Sequence, residues 1–166
     1  MMEYLDAVKE ETSRILSEKI VDVVIGFENG TIPMRAQPAF FTHPEEAKRI
    51  VINGFCQNNL TAFLHDRPKE EKIGLICRGC ESRAVRVLVS EQQKKREDLF
   101  LIGVPCNGIL DWRKISREIE EEISWAVEED DRIIVFSAKG QTELNRNTFV
   151  HDSCKKCQNP EPVGVD

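Results

Sequence analysis

Hydrophobic and polar positions follow two kinds of pattern at the start of the chain. The segment Glu3–Ile20 repeats apolar residues at the spacing of a helix and carries mostly charged residues on its other face, which predicts an amphipathic helix. The segment Val21–Gly26 is largely apolar and rich in β-branched residues, which is typical of a buried strand. Asn29-Gly30 is a strong turn sequence, so we expect Thr31–Ala36 to pair back on this strand as a hairpin.

The middle of the chain alternates between predicted strands, which are short apolar runs, and predicted helices, which repeat apolar residues every third or fourth position. The predicted elements are a short helix from Thr42 to about Val51, strand Lys72–Cys77, helix Ser82–Gln93, strand Leu99–Pro105 and helix Asp111–Val127. The last of these rests on an apolar stripe that begins at Trp112 and ends at Ala126. The alternation predicts an α/β fold with a small parallel or mixed sheet and helices on both of its faces.

The pattern changes after Glu128. Arg132–Phe136 and Gln141–Leu144 are predicted to form a short antiparallel pair, and a polar tail with two cysteines follows. We therefore expect two units. The first is an α/β core domain over residues 1–128, and the second is a small β extension with a Cys-x-x-Cys tail over residues 129–166.

Composition and charge exclude several classes of protein. The chain has 166 residues, of which 40% are hydrophobic and 31% are charged, and its net charge is -6. This length is typical of one domain. An acidic chain without a basic patch does not favour nucleic-acid binding, because contacts with phosphate require positive charge. The apolar runs are shorter than the ~20 residues that span a membrane. Met1–Lys19 mixes acidic and basic residues, so we expect no signal peptide and a cytoplasmic location.

Cysteine is the residue type that says most about function. The chain contains Cys56, Cys77, Cys80, Cys106, Cys154 and Cys157. In a reducing compartment, two Cys-x-x-Cys pairs indicate metal or redox chemistry rather than structural disulfides. Cys77 and Cys80 follow one predicted strand and Cys106 follows the next, and the carboxyl ends of neighbouring parallel strands meet at one edge of a sheet. Together with the terminal pair, these two loops are expected to supply four thiolates to one centre.

The residues alone leave the identity of that centre open. Four thiolates suit either an iron–sulfur cluster or a zinc ion, and spacing does not separate the two. A third interpretation is a thiol oxidoreductase, because Cys77 and Cys80 open a helix in the manner of thioredoxin. Cys77 also ends an apolar strand and would serve equally as core filler, with Cys80 as the ligand. Cys56 stands alone, and since buried free cysteine is common we expect it to be structural.

With strands and cysteines placed, the chain resembles the beta-subunit family of the coenzyme F-420-reducing hydrogenases and related formate dehydrogenases. The resemblance extends from about Val8 to the C-terminus. The stretches that carry it are Val21–Gly26, Ala36–Pro38, Asn53–Asn59, Lys72–Arg86, Ile102–Cys106 and Cys154–Cys157. The chain departs from the family pattern in the first helix, where Lys9–Arg14 replaces the usual Gly-Gly pair.

The resemblance implies an electron-transfer protein with a 4Fe-4S cluster. Matched position by position, it implies Cys80, Cys106, Cys154 and Cys157 as ligands, with Cys77 as a substitute for Cys80. The implied partners are hydrogenase, formate dehydrogenase or heterodisulfide-reductase-type redox subunits, and the implied acceptor is a flavin, deazaflavin or ferredoxin-type carrier. If active, the chain would be an oxidoreductase subunit. The alternative, from another class, is a zinc-stabilised α/β binding module without redox activity.

FAD is the second cofactor that the resemblance implies. The candidate residues for it are Arg35, Asn58, Asn59, Gly79 and Arg83. A guanidinium binds phosphate through two parallel hydrogen bonds, which makes the two arginines candidates for phosphate contacts. Gly79 allows close approach of the backbone. Both arginines are equally consistent with ordinary surface residues.

Overall fold

Seven strands in two sheets define the fold in a computed structural model, which describes residues 2–166. In chain order the helices and strands are α1 (Met2–Ser17), β1 (Val23–Asn29), β2 (Ala36–Phe41), β3 (Ile73–Cys77), α2 (Gly79–Ser90), β4 (Leu99–Gly103), α3 (Trp112–Ile119), β5 (Ile123–Glu129), β6 (Arg132–Ser137), β7 (Gly140–Asn145), α4 (Arg146–Phe149) and α5 (Asp152–Lys155). Short 3-10 helices cover Pro44–Arg49, Leu60–Leu64 and Arg96–Asp98. None of the helices in this range is long and apolar enough to cross a membrane.

The larger sheet has the strand order β2-β1-β3-β4. β1 is antiparallel to β2 and parallel to β3, and β3 is parallel to β4. Val8 and Ile15 of α1 pack on one face of this sheet, and Val85 of α2 packs on the other. These contacts confirm the predicted α/β fold with a mixed sheet and helices on both faces.

The hairpin partner of β1 begins later than predicted. The strand is Ala36–Phe41 rather than Thr31–Ala36, and it pairs with β1 over its whole length. Ala39 and Phe41 are buried in the cluster beneath α1, whereas residues 30–35 form the connection between the strands. The position of β2 is therefore set by the burial of alternate apolar residues in the core, and the Asn-Gly turn does not set it.

The two helices that follow also differ in detail from the prediction. The helix expected from Thr42 to about Val51 is a 3-10 helix over Pro44–Arg49, and its N-cap is His43. α2 begins at Gly79, three residues before the predicted Ser82. This earlier start is important for the site, because it places Cys80 in the first helical turn.

The helix predicted over Asp111–Val127 is wrong beyond Ile119. Glu120 adopts φ 55°, a left-handed conformation that ends α3. The helix dipole also disfavours further carboxylates at a helix C-terminus, and two glutamates follow Glu120 directly. Ile123–Glu129 instead forms β5, which pairs antiparallel with β6.

The smaller sheet is antiparallel with the order β5-β6-β7. It contains the predicted pair, which is observed as β6 and β7. Ile133 and Val135 of β6 pack with Leu110, Ile115 and Phe149 in a third hydrophobic cluster. The sheet starts at Ile123, before the expected boundary at residue 128; the division of the chain into two units stays a prediction.

The tail after Cys157 runs back to the larger sheet. The amide of Val163 donates to the Ser82 hydroxyl at 3.0 Å. The amide of Asp166 donates to the carbonyl of Leu101 at 3.1 Å, and the amide of Leu101 donates to the Asp166 carboxylate at 2.8 Å. The tail therefore lies along the start of α2 and the edge of β4.

Candidate functional site

A cavity of about 470 Å³ lies where β3 and β4 end. Its lining includes the four cysteines that the resemblance implies as ligands, Cys80, Cys106, Cys154 and Cys157. Cys80 and Cys157 are exposed, whereas Cys106 and Cys154 are partly buried. Residues far apart in the sequence are thus brought to one concave site, at the sheet edge where open α/β folds bind their ligands.

Cys80 is positioned by a buried ion pair at the start of α2. Arg78 is the N-cap, and its guanidinium contacts the Glu81 carboxylate at 2.8 Å. Glu81 is only 1% exposed and also accepts hydrogen bonds from the amides of Arg78 and Leu60. The N-terminus of α2 and the guanidinium favour a negative sulfur at Cys80, whereas burial and the Glu81 carboxylate oppose it and raise the pKa of this thiol.

Cys106 and Cys154 are brought together by backbone pairing between their flanking segments. Leu110 and Val150 form an isolated antiparallel bridge. The amide of Asp111 donates to the carbonyl of Phe149 at 2.7 Å, and the amide of His151 donates to the carbonyl of Ile109 at 2.9 Å. This short ladder fixes the loop after β4 against the segment that leads into α5.

Cys157 is held by the tail that follows it. Arg83 donates to the Asn159 side chain at 3.1 Å and to the carbonyl of Glu161 at 3.2 Å. The tail passes so close to Gly79 that a Cβ atom there would lie 2.2 Å from the Asn159 carbonyl oxygen. Glycine is therefore required at this position by contact between the tail and α2.

Two of the four sulfurs accept hydrogen bonds from nearby amides. The amide of Gly108 donates to Cys106 Sγ and the amide of Asn159 donates to Cys157 Sγ, each at 3.4 Å. Burial is the main cause that raises the pKa of Cys80 and of Cys106 above the ordinary value of a thiol. Binding of a metal or cluster by these two residues must therefore release protons.

Cys77 and Cys56 lie outside the cysteine cavity. Cys77 is fully buried at the end of β3, within the cluster that packs against α2. Burial raises its pKa to about 12. Cys56 is equally buried, and burial raises its pKa to about 12 as well. Low thiolate character argues against a reactive dithiol at Cys77 and Cys80, since the thiolate is the nucleophile in disulfide exchange.

The five residues suggested for FAD are distributed over the molecule. Gly79 and Asn59 line the cysteine cavity, whereas Arg35 and Asn58 line a separate depression beside β2. The Arg35 guanidinium stacks on the Trp112 ring at 4.8 Å, and Arg83 binds the tail. These five residues do not surround a single cavity, so flavin binding stays a prediction.

Two buried arginines are the site residues that sequence reasoning missed. Arg78 lies within the first Cys-x-x-Cys motif, which was a usable signal. Arg146 is 5% exposed and donates to Glu128 of β5, and nothing in its local sequence distinguishes it from a surface residue. A second cavity of about 40 Å³ lies behind Cys106 and has room for a few water molecules only. Its lining includes the two arginines and their partners, Glu81 and Glu128.

The four thiols that line the cysteine cavity are not arranged around one common metal position. Among the described residues, no three His, Cys, Asp or Glu side chains are close enough to coordinate one metal ion. Four thiolates on a single zinc ion would each lie ~2.3 Å from it.

Fold and cavity together define an α/β protein with a four-cysteine site at its sheet edge. No protein-family model matches the chain. It is 24% identical over 97 residues to the F-420-dependent formate dehydrogenase subunit beta of Methanocaldococcus jannaschii, a match that covers 58% of this chain and 26% of that protein. In structure it is similar to a chain of the F-420-reducing NiFe hydrogenase complex of Methanosarcina barkeri, with a TM-score of 0.70 and 14% identity.

The structural match covers 93% of this chain and 59% of the hydrogenase chain. The described chain thus corresponds to part of each relative, about a quarter of one and three fifths of the other. At this low identity the structural likeness establishes the fold. The sequence match is weak, and it supports the resemblance loosely.

Proposed function

We propose that this chain is an electron-transfer iron–sulfur protein, in which Cys80, Cys106, Cys154 and Cys157 hold one 4Fe-4S cluster. The observation that carries the proposal is that all four line one cavity although they come from three separate parts of the chain. Four cysteine thiolates are the usual donor set for a cubane cluster. The donor set therefore fits the group.

The residues around the cavity suit electron transfer. When bound, a 4Fe-4S cluster accepts and releases electrons one at a time. The amides of Gly108 and Asn159 would offset the negative charge of the ligand sulfurs, which favours reduction. Cys80 and Cys157 are the exposed side of the site, so electrons would pass to and from a partner there.

We further propose that the chain works with hydrogenase, formate dehydrogenase or heterodisulfide-reductase-type redox subunits. The names of the two relatives support the first two of these. The carrier on the other side of the reaction would be a flavin, a deazaflavin or a ferredoxin-type protein. Each of these accepts electrons at potentials that iron–sulfur clusters reach.

The test is anaerobic purification or reconstitution of the full chain, with iron, sulfide, zinc and flavin measured on the same sample. We expect about four irons and four sulfides per chain and visible absorption that dithionite bleaches. Stoichiometric zinc with no colour would instead support the alternative, a zinc-stabilised binding module. Flavin in the same sample would support the prediction that the chain binds FAD.

Cysteine variants identify the ligands. Cys106→Ser should lose most of the iron, whereas Cys56→Ser is the matched control and should keep it, because Cys56 is buried away from the cavity. Full cluster content in the Cys106→Ser protein would contradict the proposed ligand set. Equal loss in both variants would indicate damage to the fold rather than loss of a ligand.

A further inference from the structure

A buried arginine from the C-terminal part of the chain holds the loop that follows Cys106. Nη1 of Arg146 donates to the carbonyl oxygen of Asn107, and Nη2 donates to that of Gly108, each at 2.8 Å. Nε donates to the carboxylate of Glu128, and both side chains of this pair are almost fully buried. The guanidinium is thus committed to this loop and to its counter-ion.

One of these contacts acts on the peptide group that faces the Cys106 sulfur. The carbonyl of Asn107 and the amide of Gly108 belong to one trans peptide group, so they point in opposite directions. Arg146 binds the carbonyl end, while the amide end donates to Cys106 Sγ at 3.4 Å. A positive charge at the carbonyl polarises the peptide and makes its N–H a stronger donor.

We infer that Arg146 is a positioning residue for the cluster, an inference that rests on the function proposed above. It orients and polarises the peptide between Asn107 and Gly108, and this peptide stabilises negative charge on Cys106 Sγ. Hydrogen bonds to ligand sulfurs are one of the determinants of cluster potential, and they favour the reduced state because it is the more negative one. Loss of the Arg146 contacts should therefore lower the reduction potential.

Arg146→Lys tests this directly. Lysine keeps the positive charge, but one ammonium group does not reproduce the fixed fork that reaches two carbonyls and a carboxylate. We expect wild-type iron and sulfide content, a more negative reduction potential and a changed EPR spectrum of the reduced protein. Arg67→Lys is the matched control, since Arg67 is partly buried, pairs with Glu71 and is not among the residues that line the cysteine cavity.

An unchanged potential in loaded Arg146→Lys protein would overturn the inference. If that variant does not fold, Glu128→Gln replaces it, because it keeps Arg146 and removes the counter-charge. We then expect a more positive potential, and no shift or a negative one would overturn the inference. A wild-type chain that takes up no iron or sulfide would refute the proposed function itself, whereas a loaded wild type with unresponsive variants refutes only the role of Arg146.

Discussion

Gly108 and Cys154 lie close together in the lining of the cysteine cavity. A Cβ atom on Gly108 would lie 3.2 Å from Cβ of Cys154 and 2.8 Å from Cγ1 of Val150. Gly108 also has φ +90°, a conformation that other residues adopt at a cost. The spacing between the Cys106 loop and the α5 segment therefore depends on a missing side chain.

Gly108→Ala should separate these two segments. We expect a loss of about 2–4 kcal/mol in the free energy of unfolding, from backbone strain and overpacking together, and a lower iron content after reconstitution. Gly164→Ala isolates the backbone contribution, since Gly164 has φ +66° and no atom within 4 Å of an added Cβ. Equal iron content in the two variants would show that the contact with Cys154 is unimportant.

Removal of one partner of the Arg78–Glu81 pair should strongly destabilise the metal-free protein. Arg78→Met leaves a carboxylate buried without its partner, which costs about 3–5 kcal/mol. The double variant Arg78→Met/Glu81→Leu should cost less than the sum of the two single changes, because no lone charge remains. Denaturant unfolding of the wild type, the two single variants and the double variant measures the four free energies of unfolding.

The exposed pair of Arg14 and Glu18 provides the comparison for that cycle. Both side chains are largely solvated, and Arg14 also pairs with Glu11, so Arg14→Met should cost far less than Arg78→Met. A similar cost for Arg14→Met and Arg78→Met would contradict the role of burial. Additive effects in the Arg78 cycle would show that the buried pair does not act as a unit.

The fold was predictable wherever burial of an element produces a simple hydrophobic pattern in the sequence. β3 and β4 are apolar throughout because helices cover both faces, and they lie close to their predicted bounds. The prediction of a helix over Asp111–Val127 was wrong because the apolar pattern of its second half fits both a helix and a strand. Its apolar residues fit helical spacing from Trp112 to Ala126, yet Ile123, Trp125 and Val127 also alternate as in a strand. Pairing with β6 selects the strand, and this pairing is not visible in the periodicity of the segment itself.

Glu120→Gly tests what ends α3. Glycine adopts the left-handed conformation of residue 120 without strain, so we expect this variant to gain about 1 kcal/mol and to raise Tm. Glu118→Gly, in the last turn of the same helix, should lower Tm, because glycine is a weaker helix former than glutamate. A lower Tm for Glu120→Gly would mean that its charge or side chain has a structural role.

The site was predictable at the level of residue type. Thiolates recur in pairs whose spacing and place after a strand are visible in the chain, so Cys80 and Cys106 could be assigned to one sheet edge. The supporting arginines could not be assigned in this way. Arg146 is defined by contacts with Asn107 and Glu128, and both partners are distant in sequence.

Cys56 should make the metal-free protein sensitive to alkaline pH. Burial raises its pKa from the ordinary 9.0 to about 12, so between these values the unfolded chain is deprotonated and the folded chain is not. Its contribution to stability is complete below pH 9 and declines as pH rises, by about 1.4 kcal/mol per pH unit. In Cys56→Ala, urea unfolding between pH 9 and pH 11 should show a shallower decline. Identical slopes would contradict the raised pKa.

The tail along β4 has a consequence for solubility. A sheet edge with free backbone groups is a template on which another chain can add a strand. Asp166 pairs with Leu101 on this edge, and Pro162 and Val165 lie over Gly103. The same tail is tied to Cys157 through Asn159. Damage that frees Cys157, such as oxidation of its sulfur, would therefore also loosen the cover of the sheet edge and promote aggregation.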